Sequence, residues 1–196
     1  MTVDEDVDVL ALLGRQHKLI GALFNKVEMT QGQQRRTAFE RLVRVLAVHE
    51  TIEEEIVHPA LRQAADGAGT VETLLEEERE GKELLAELDR VGPDADGFDA
   101  RLRELHHIVL RHAAHEEREE FPVLRATLTP ARLRSMGVSA RSAELVAPTH
   151  PHPGVEGAAA NVLGGPFVAI ADRVRDAVRK ATQGSTTGTE GSTGQD

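Results

Sequence analysis

Residues 44–62 read RVLAVHETIEEEIVHPALR, and residues 107–125 read HIVLRHAAHEEREEFPVLR. Each stretch holds a His, a Glu four residues later, and a Pro ten residues after the His: His49, Glu53 and Pro59, then His112, Glu116 and Pro122. Residues four apart share one face of an α-helix. Both pairs continue apolar stripes of helical period. The first stripe is Phe39, Leu42, Leu46, His49, Glu53, Ile56, on a helix expected over residues 34–62. The second is Leu102, Leu105, Val109, His112, Glu116, Val123, on a helix expected over residues 98–126.

Two further stripes lie outside these repeats. Leu10, Leu13, His17, Ile20, Phe24 and Val27 mark a helix over residues 7–28. Leu74, Glu78, Gly81, Leu85 and Leu88 mark one over residues 71–90, with Thr70 as its expected N-cap. Thr30-Gln31-Gly32, residues 66–70 and Gly92-Pro93-Asp94 separate the four. No alternating strand pattern interrupts them. The reading is all-α: an up-down-up-down four-helix bundle with a C-terminal helical extension and a disordered tail. The expected spans are 1–128 for the bundle, 129–181 for the extension and 182–196 for the tail. In the extension a short helix runs from Pro130 to about Gly137. A Pro-rich connector follows at 148–154, and then a helix whose apolar face carries Phe167, Ile170 and Val174. The tail, rich in Gly, Ser and Thr, has nothing to bury.

Composition narrows the chemistry. The 196 residues carry 23 Lys and Arg against 33 Asp and Glu, a net charge of −10, with nine His and no Cys, Trp or Tyr. This excludes disulfides, thiolate metal sites, thiol nucleophiles and tyrosyl radicals. The acidic balance argues against a nucleic-acid partner. No stretch is long and apolar enough for a membrane span, and the acidic start lacks the basic region of a secretory signal. The expected location is cytoplasmic, and the expected assembly a monomer or weak homodimer.

The ionisable residues on the stripes break the rule that cores are apolar. His17, His49, Glu53, Glu78, His112 and Glu116 all fall near the middle of their helices, at one level of the bundle. Buried carboxylates are costly unless paired or bound to metal. A cation resolves the conflict by supplying positive charge and accepting the imidazole lone pairs. Glu77 competes with Glu78 for the inward place on the third helix. His58 lies half a turn round from His49 on a straight helix and is expected to face away. His115 falls beside the stripe of the fourth helix, and the remaining Glu of run 116–120 are expected in solvent. The Glu-x-x-His strings of ferritin-like bundles occur at Glu55–His58 and Glu104–His107 but off the stripes. The zinc-protease string is absent, because Glu53 stands where its second His is needed.

His17, the two HxxxE segments ending in Pro and the Glu76–Glu80 run together resemble the hemerythrin-like HHE cation-binding domain over residues 7–126. The extension looks like that of some actinobacterial members. The resemblance implies two iron ions in a non-haem, oxo- or hydroxo-bridged di-iron centre. It also implies that Glu53 and Glu116 bridge the irons and that His17, His49 and His112 cap them. The family usually has His where this chain has Glu78. The extra carboxylate removes one unit of positive charge and favours the oxidised metal, which counts against reversible O2 carriage. The expected partners are small molecules: O2, peroxide or NO. The favoured activity is disproportionation or reduction of hydrogen peroxide in oxidative stress. The alternative is a non-catalytic sensor or carrier of O2, NO or iron. Manganese or a mixed pair is compatible with the donors.

Overall fold

The computed structural model describes residues 7–63, 68–146 and 175–176, and these contain helices and short loops but no strand. Helix α1 is Val9–Met29 and α2 is Gly32–Ile52. After one π turn, Glu53–Val57, the chain continues as α3, His58–Gln63. Helix α4 is Ala68–Val91 and α5 is Phe98–His115. A second π turn, Glu116–Glu120, leads into α6, Phe121–Thr127. Helix α7 is Pro130–Val146. The bundle's four rods are therefore α1, α2 with α3, α4, and α5 with α6. Neighbours in sequence pack together, α1 also lies on α5, and α3 on α4.

Local chemistry sets the ends. Asp8 Oδ1 accepts from the Ala11 N–H at 2.8 Å and caps α1. Helix α4 stops where Gly92 takes φ +78° and its N–H reaches the Leu88 carbonyl at 2.9 Å. Pro93 then prevents continuation. Helix α4 is described from Ala68, so Thr70 lies within the helix and not ahead of it, where an N-cap stands.

The apolar stripes fill the interior: Leu10, Leu13, Phe24, Leu42, Leu46, Leu88, Leu102 and Leu105 are almost wholly buried. The stripes stay in phase along α1, α2, α4 and α5, which brings their mid-helix polar residues to one level.

Helix α7 runs past Gly137, where the sequence suggested a stop. Gly137 serves a close approach instead. A Cβ there would run into the Val7 carbonyl oxygen and stand 3.1 Å from the Val9 nitrogen. Helix α7 thus lies directly on the start of α1, and the Arg141 guanidinium donates to the Val7 carbonyl at 2.8 Å. Of the expected last helix only Arg175 and Asp176 are described, and they are helical. Arg175 pairs with Glu54 and Glu55 of the first π turn at 3.3 and 2.9 Å. The connector, the rest of that helix and the tail lie outside the described residues. No described helix is long and apolar enough to cross a membrane.

A side chain at Gly137 must push α7 off α1. Gly137→Val is expected to cost about 1–3 kcal/mol in chemical denaturation, whereas Gly14→Ala, on α1 with open space around it, is expected to be neutral or slightly stabilising.

Candidate metal centre

The two π turns are the local feature that shapes the site. Each begins at the Glu of a His-x-x-x-Glu pair, and each closes with an i→i−5 bond: His58 N–H to the Glu53 carbonyl, and Phe121 N–H to the Glu116 carbonyl. The following residues, Pro59 and Pro122, have no N–H to continue the α ladder. A π turn holds one extra residue, which moves everything after it by about 100°. His58 therefore does not face away. It is 1% exposed, with Nε2 3.2 Å from Glu78 Oε1 and 3.9 Å from Glu120 Oε2. Glu120, expected in solvent, is fully buried.

His17, His49, Glu53, Glu78, His112 and Glu116 converge. Glu53 Oε1 lies 3.1 Å from His49 Nε2, and its Oε2 lies 3.7 Å from His112 Nε2. Glu116 mirrors it: Oε2 lies 2.8 Å from His17 Nε2, and Oε1 lies 3.0 Å from His112 Nε2. Each carboxylate thus faces a histidine of α1 or α2 with one oxygen and His112 with the other. Two donor groups result, each compact enough for one ion: His17, His49, Glu53 and Glu116, then Glu53, Glu78 and His112. They share Glu53, so two ions could lie side by side. The first group offers two imidazoles and two carboxylates; the second offers one imidazole and two carboxylates.

The polar atoms fit metal. Both oxygens of Glu53 and of Glu116, His17 Nε2, His112 Nε2 and Glu78 Oε1 are buried with no well-formed hydrogen bond inside the protein. Such groups are rare in folded proteins and need another partner. Two of the far ring nitrogens are held: His49 Nδ1 lies 2.9 Å from Gln16 Oε1 and His17 Nδ1 2.8 Å from Glu117 Oε1. His112 Nδ1 lies 3.5 Å from Glu77 Oε2 without a well-formed hydrogen bond. Acceptors on Nδ1 leave the Nε2 lone pairs directed at the site, which is how ligating histidines are supported.

Glu78, not Glu77, takes the inward place: it is 2% exposed. Glu77 instead stands behind the site, bonded to His115 Nδ1 at 3.0 Å and Arg111 at 3.3 Å. Lys82, one turn on from Glu78, donates to Glu78 Oε2 at 2.9 Å and Glu54 Oε1 at 2.6 Å, with Glu50 at 3.3 Å. Burial opposes a charge on Lys82, but these carboxylates outweigh it and raise its pKa. The one ammonium is shared among Glu78, Glu54 and Glu50 and offsets part of their negative charge.

Titration follows the same geometry. Burial, then the three neighbouring imidazoles, lowers His49 to about 3, so it is neutral with a free lone pair. Burial and the charge of Glu116 hold Glu53 well above the usual carboxylate range. For His112, burial works against the charge, but Glu116 and Glu53 outweigh it and raise its pKa strongly. Without metal the site keeps protons in place of cations, and metal binding must release them.

A narrow apolar cavity of about 40 Å3 reaches His17, His49 and His112 from between α1 and α5, along Ile20, Gly21, Phe24, Val109 and Leu110.

The sequence profile of the hemerythrin HHE cation-binding domain matches residues 8–124, which span α1 to α6. The chain belongs to this family. The hemerythrin HHE bundle is also the fold of a solved HHE cation-binding domain-containing protein from Mycobacterium kansasii. That protein is 24% identical, with a TM-score of 0.62 over 69% of this chain and 83% of that one. A protein named DNA nickase from Nostoc sp. is 26% identical over 141 residues, 71% of this chain. The match spans 40% of that relative's length. HHE domains bind metal ions, and α7 lies beyond the matched span.

Burial, then the charge of Glu116, raises the Glu120 carboxyl to about 8. Between about pH 4.5 and 8 the unfolded chain ionises this group and the fold does not, so its contribution to stability is lost as pH rises through that window. Metal-free Glu120→Gln is expected to exceed the parent by roughly 2–4 kcal/mol near pH 8 and to match it near pH 4. Urea unfolding at both pH values measures this.

Proposed function

We propose that this HHE protein holds two metal ions, both iron on the family resemblance, and acts on hydrogen peroxide by disproportionation or by reduction with an outside donor. The observation that carries the reading is the pair of carboxylates, Glu53 and Glu116, each turned with its two oxygens toward different histidines of the cluster. His17 and His49 would complete one ion's ligands, and His112 with Glu78 the other's. Iron, when bound there, supplies redox change and Lewis acidity.

The chain's own residues would do the rest. The apolar cavity beside His17, His49 and His112 has room for a molecule of about two heavy atoms. Its lining is mostly apolar. Glu120 and His58 form a buried polar pair beside Glu78. The chain has no Tyr, Trp or Cys, so it offers few easily oxidised side chains to a strong oxidant. The nickase name of the Nostoc relative does not suit this buried centre, because a sugar–phosphate backbone does not fit a cavity of this size. The surrounding chain is also acidic.

One observation favours the alternative, a sensor or carrier of O2 or NO. Lys82 donates to Glu78 Oε2 and offsets part of the negative charge that counts against reversible binding. A reversible optical change with O2 on the reduced protein, without peroxide turnover, would select it.

Metal analysis of protein from its native host is expected to give two irons per chain. Oxygen evolution from peroxide by the iron-loaded protein is expected to vanish in the His49→Ala/His112→Ala double variant; equal rates in the two would refute the enzymatic reading. A Cβ at Gly21 meets nothing within 4 Å, so Gly21→Leu is expected to fold, retain its metal and fill the cavity. Its kcat/KM for peroxide should fall with iron content unchanged.

A further inference from the structure

Helix α7 lies beyond the family match, yet it reaches the site. Glu144, half-buried on α7, accepts a hydrogen bond from Gln16 Nε2 at 2.7 Å. The other end of the same amide, Gln16 Oε1, lies 2.9 Å from His49 Nδ1. Gln16 is 5% exposed and His49 is 3% exposed. The three side chains form a line from α7 through α1 to the imidazole on α2.

The chemistry of that line has one direction. A carboxylate only accepts, so the NH2 of Gln16 must face Glu144. The amide oxygen must then face His49. An oxygen there only accepts, so the His49 proton sits on Nδ1. Nε2 is left with its lone pair, 3.1 Å from Glu53 Oε1 and inside the donor group. Turning the amide over would place NH2 against Nδ1, drive the proton to Nε2 and remove a ligand. Nothing on Gln16 itself decides between these two states, because its oxygen and its NH2 occupy nearly the same volume. The decision comes from Glu144.

We propose that Glu144 is a positioning residue that fixes the Nδ1–H tautomer of His49 through Gln16, so that α7 is part of the metal centre. The inference rests on the metal reading above. It gives the C-terminal extension a task, and it explains the tight seat of α7 at Gly137. The chain of bonds works only if α7 is held in register with α1.

Three variants test it: Glu144→Gln, Gln16→Glu, and the two together. Glu144→Gln keeps shape but can both donate and accept, so the Gln16 amide is free to turn. In the double variant the carboxylate and the amide exchange places. The carboxylate, now on α1, accepts from His49 Nδ1 and from the NH2 that α7 now carries, so the direction returns. Two readouts are taken, the 15N histidine spectrum of the metal-free protein and the affinity for Fe(II) by titration. Glu144→Gln is expected to populate the Nε2–H tautomer of His49 and to weaken one of the two Fe(II) steps by about 10- to 100-fold. The double variant is expected to recover both. Gln16→Glu alone, with two carboxylates facing each other, is expected to bind less iron than the double variant. An unchanged spectrum in Glu144→Gln, or a double variant no better than the single ones, would overturn the proposal. A tautomer shift in Glu144→Gln, with a parent chain that binds no Fe(II), would uphold the positioning role and refute the metal reading instead.

Discussion

Four carboxylates, from Glu53, Glu78, Glu116 and Glu120, are buried at one level of the bundle together with the imidazoles of His49, His58 and His112. Their mutual repulsion, and the cost of taking them out of water, must be met within a few ångströms. Without metal the answer is protons: one held on His112 between Glu53 and Glu116, and others on the carboxyls raised by burial. With metal, cationic charge takes the place of those protons. The apolar stripes above and below this layer supply the folding energy that the layer consumes. Lys82, Gln16, Glu77 and Glu117 answer for what is left by occupying the outward-facing atoms.

Much of this is legible from periodicity. The stripes place His17, His49, Glu53, Glu78, His112 and Glu116 on inward faces, and the structure brings those six together. The choice between Glu77 and Glu78 is a matter of about 100° of rotation. Only the packed helix decides it. His58 departs from expectation because the expectation rests on a straight helix through Pro59. Glu120 departs because a run of acidic residues reads as a solvated face, although Glu120 stands four residues after Glu116 and so shares its side of the helix. A signal is present in the sequence, since each Pro stands six residues after a ligand-type Glu, and a proline in mid-helix forces the ladder to change. The Gln16–Glu144 contact joins residues 128 apart in sequence. No local pattern announces such a contact.

The two His-x-x-x-Glu segments also show how a repeated device is made unequal. Position for position, His58 in the first corresponds to Phe121 in the second, and Val57 to Glu120. The Phe121 ring stacks on His17 at 6.0 Å, whereas His58 meets Glu78. One side of the layer is thus closed by an aromatic ring and nitrogen donors, and the other by a carboxylate, an imidazole and a lysine.

The contact between Gly137 and the start of α1 bears on what counts as one inheritable unit. The recognised domain ends at Leu124, and every donor atom of the two groups lies before that point. Yet a hydrogen atom's place on one imidazole traces back to a helix beyond it. A shuffled or truncated gene ending at the domain boundary would pass on all the donors and lose the means of keeping one of them deprotonated on the correct side. In this chain the end of the family profile and the end of the working part are two different places.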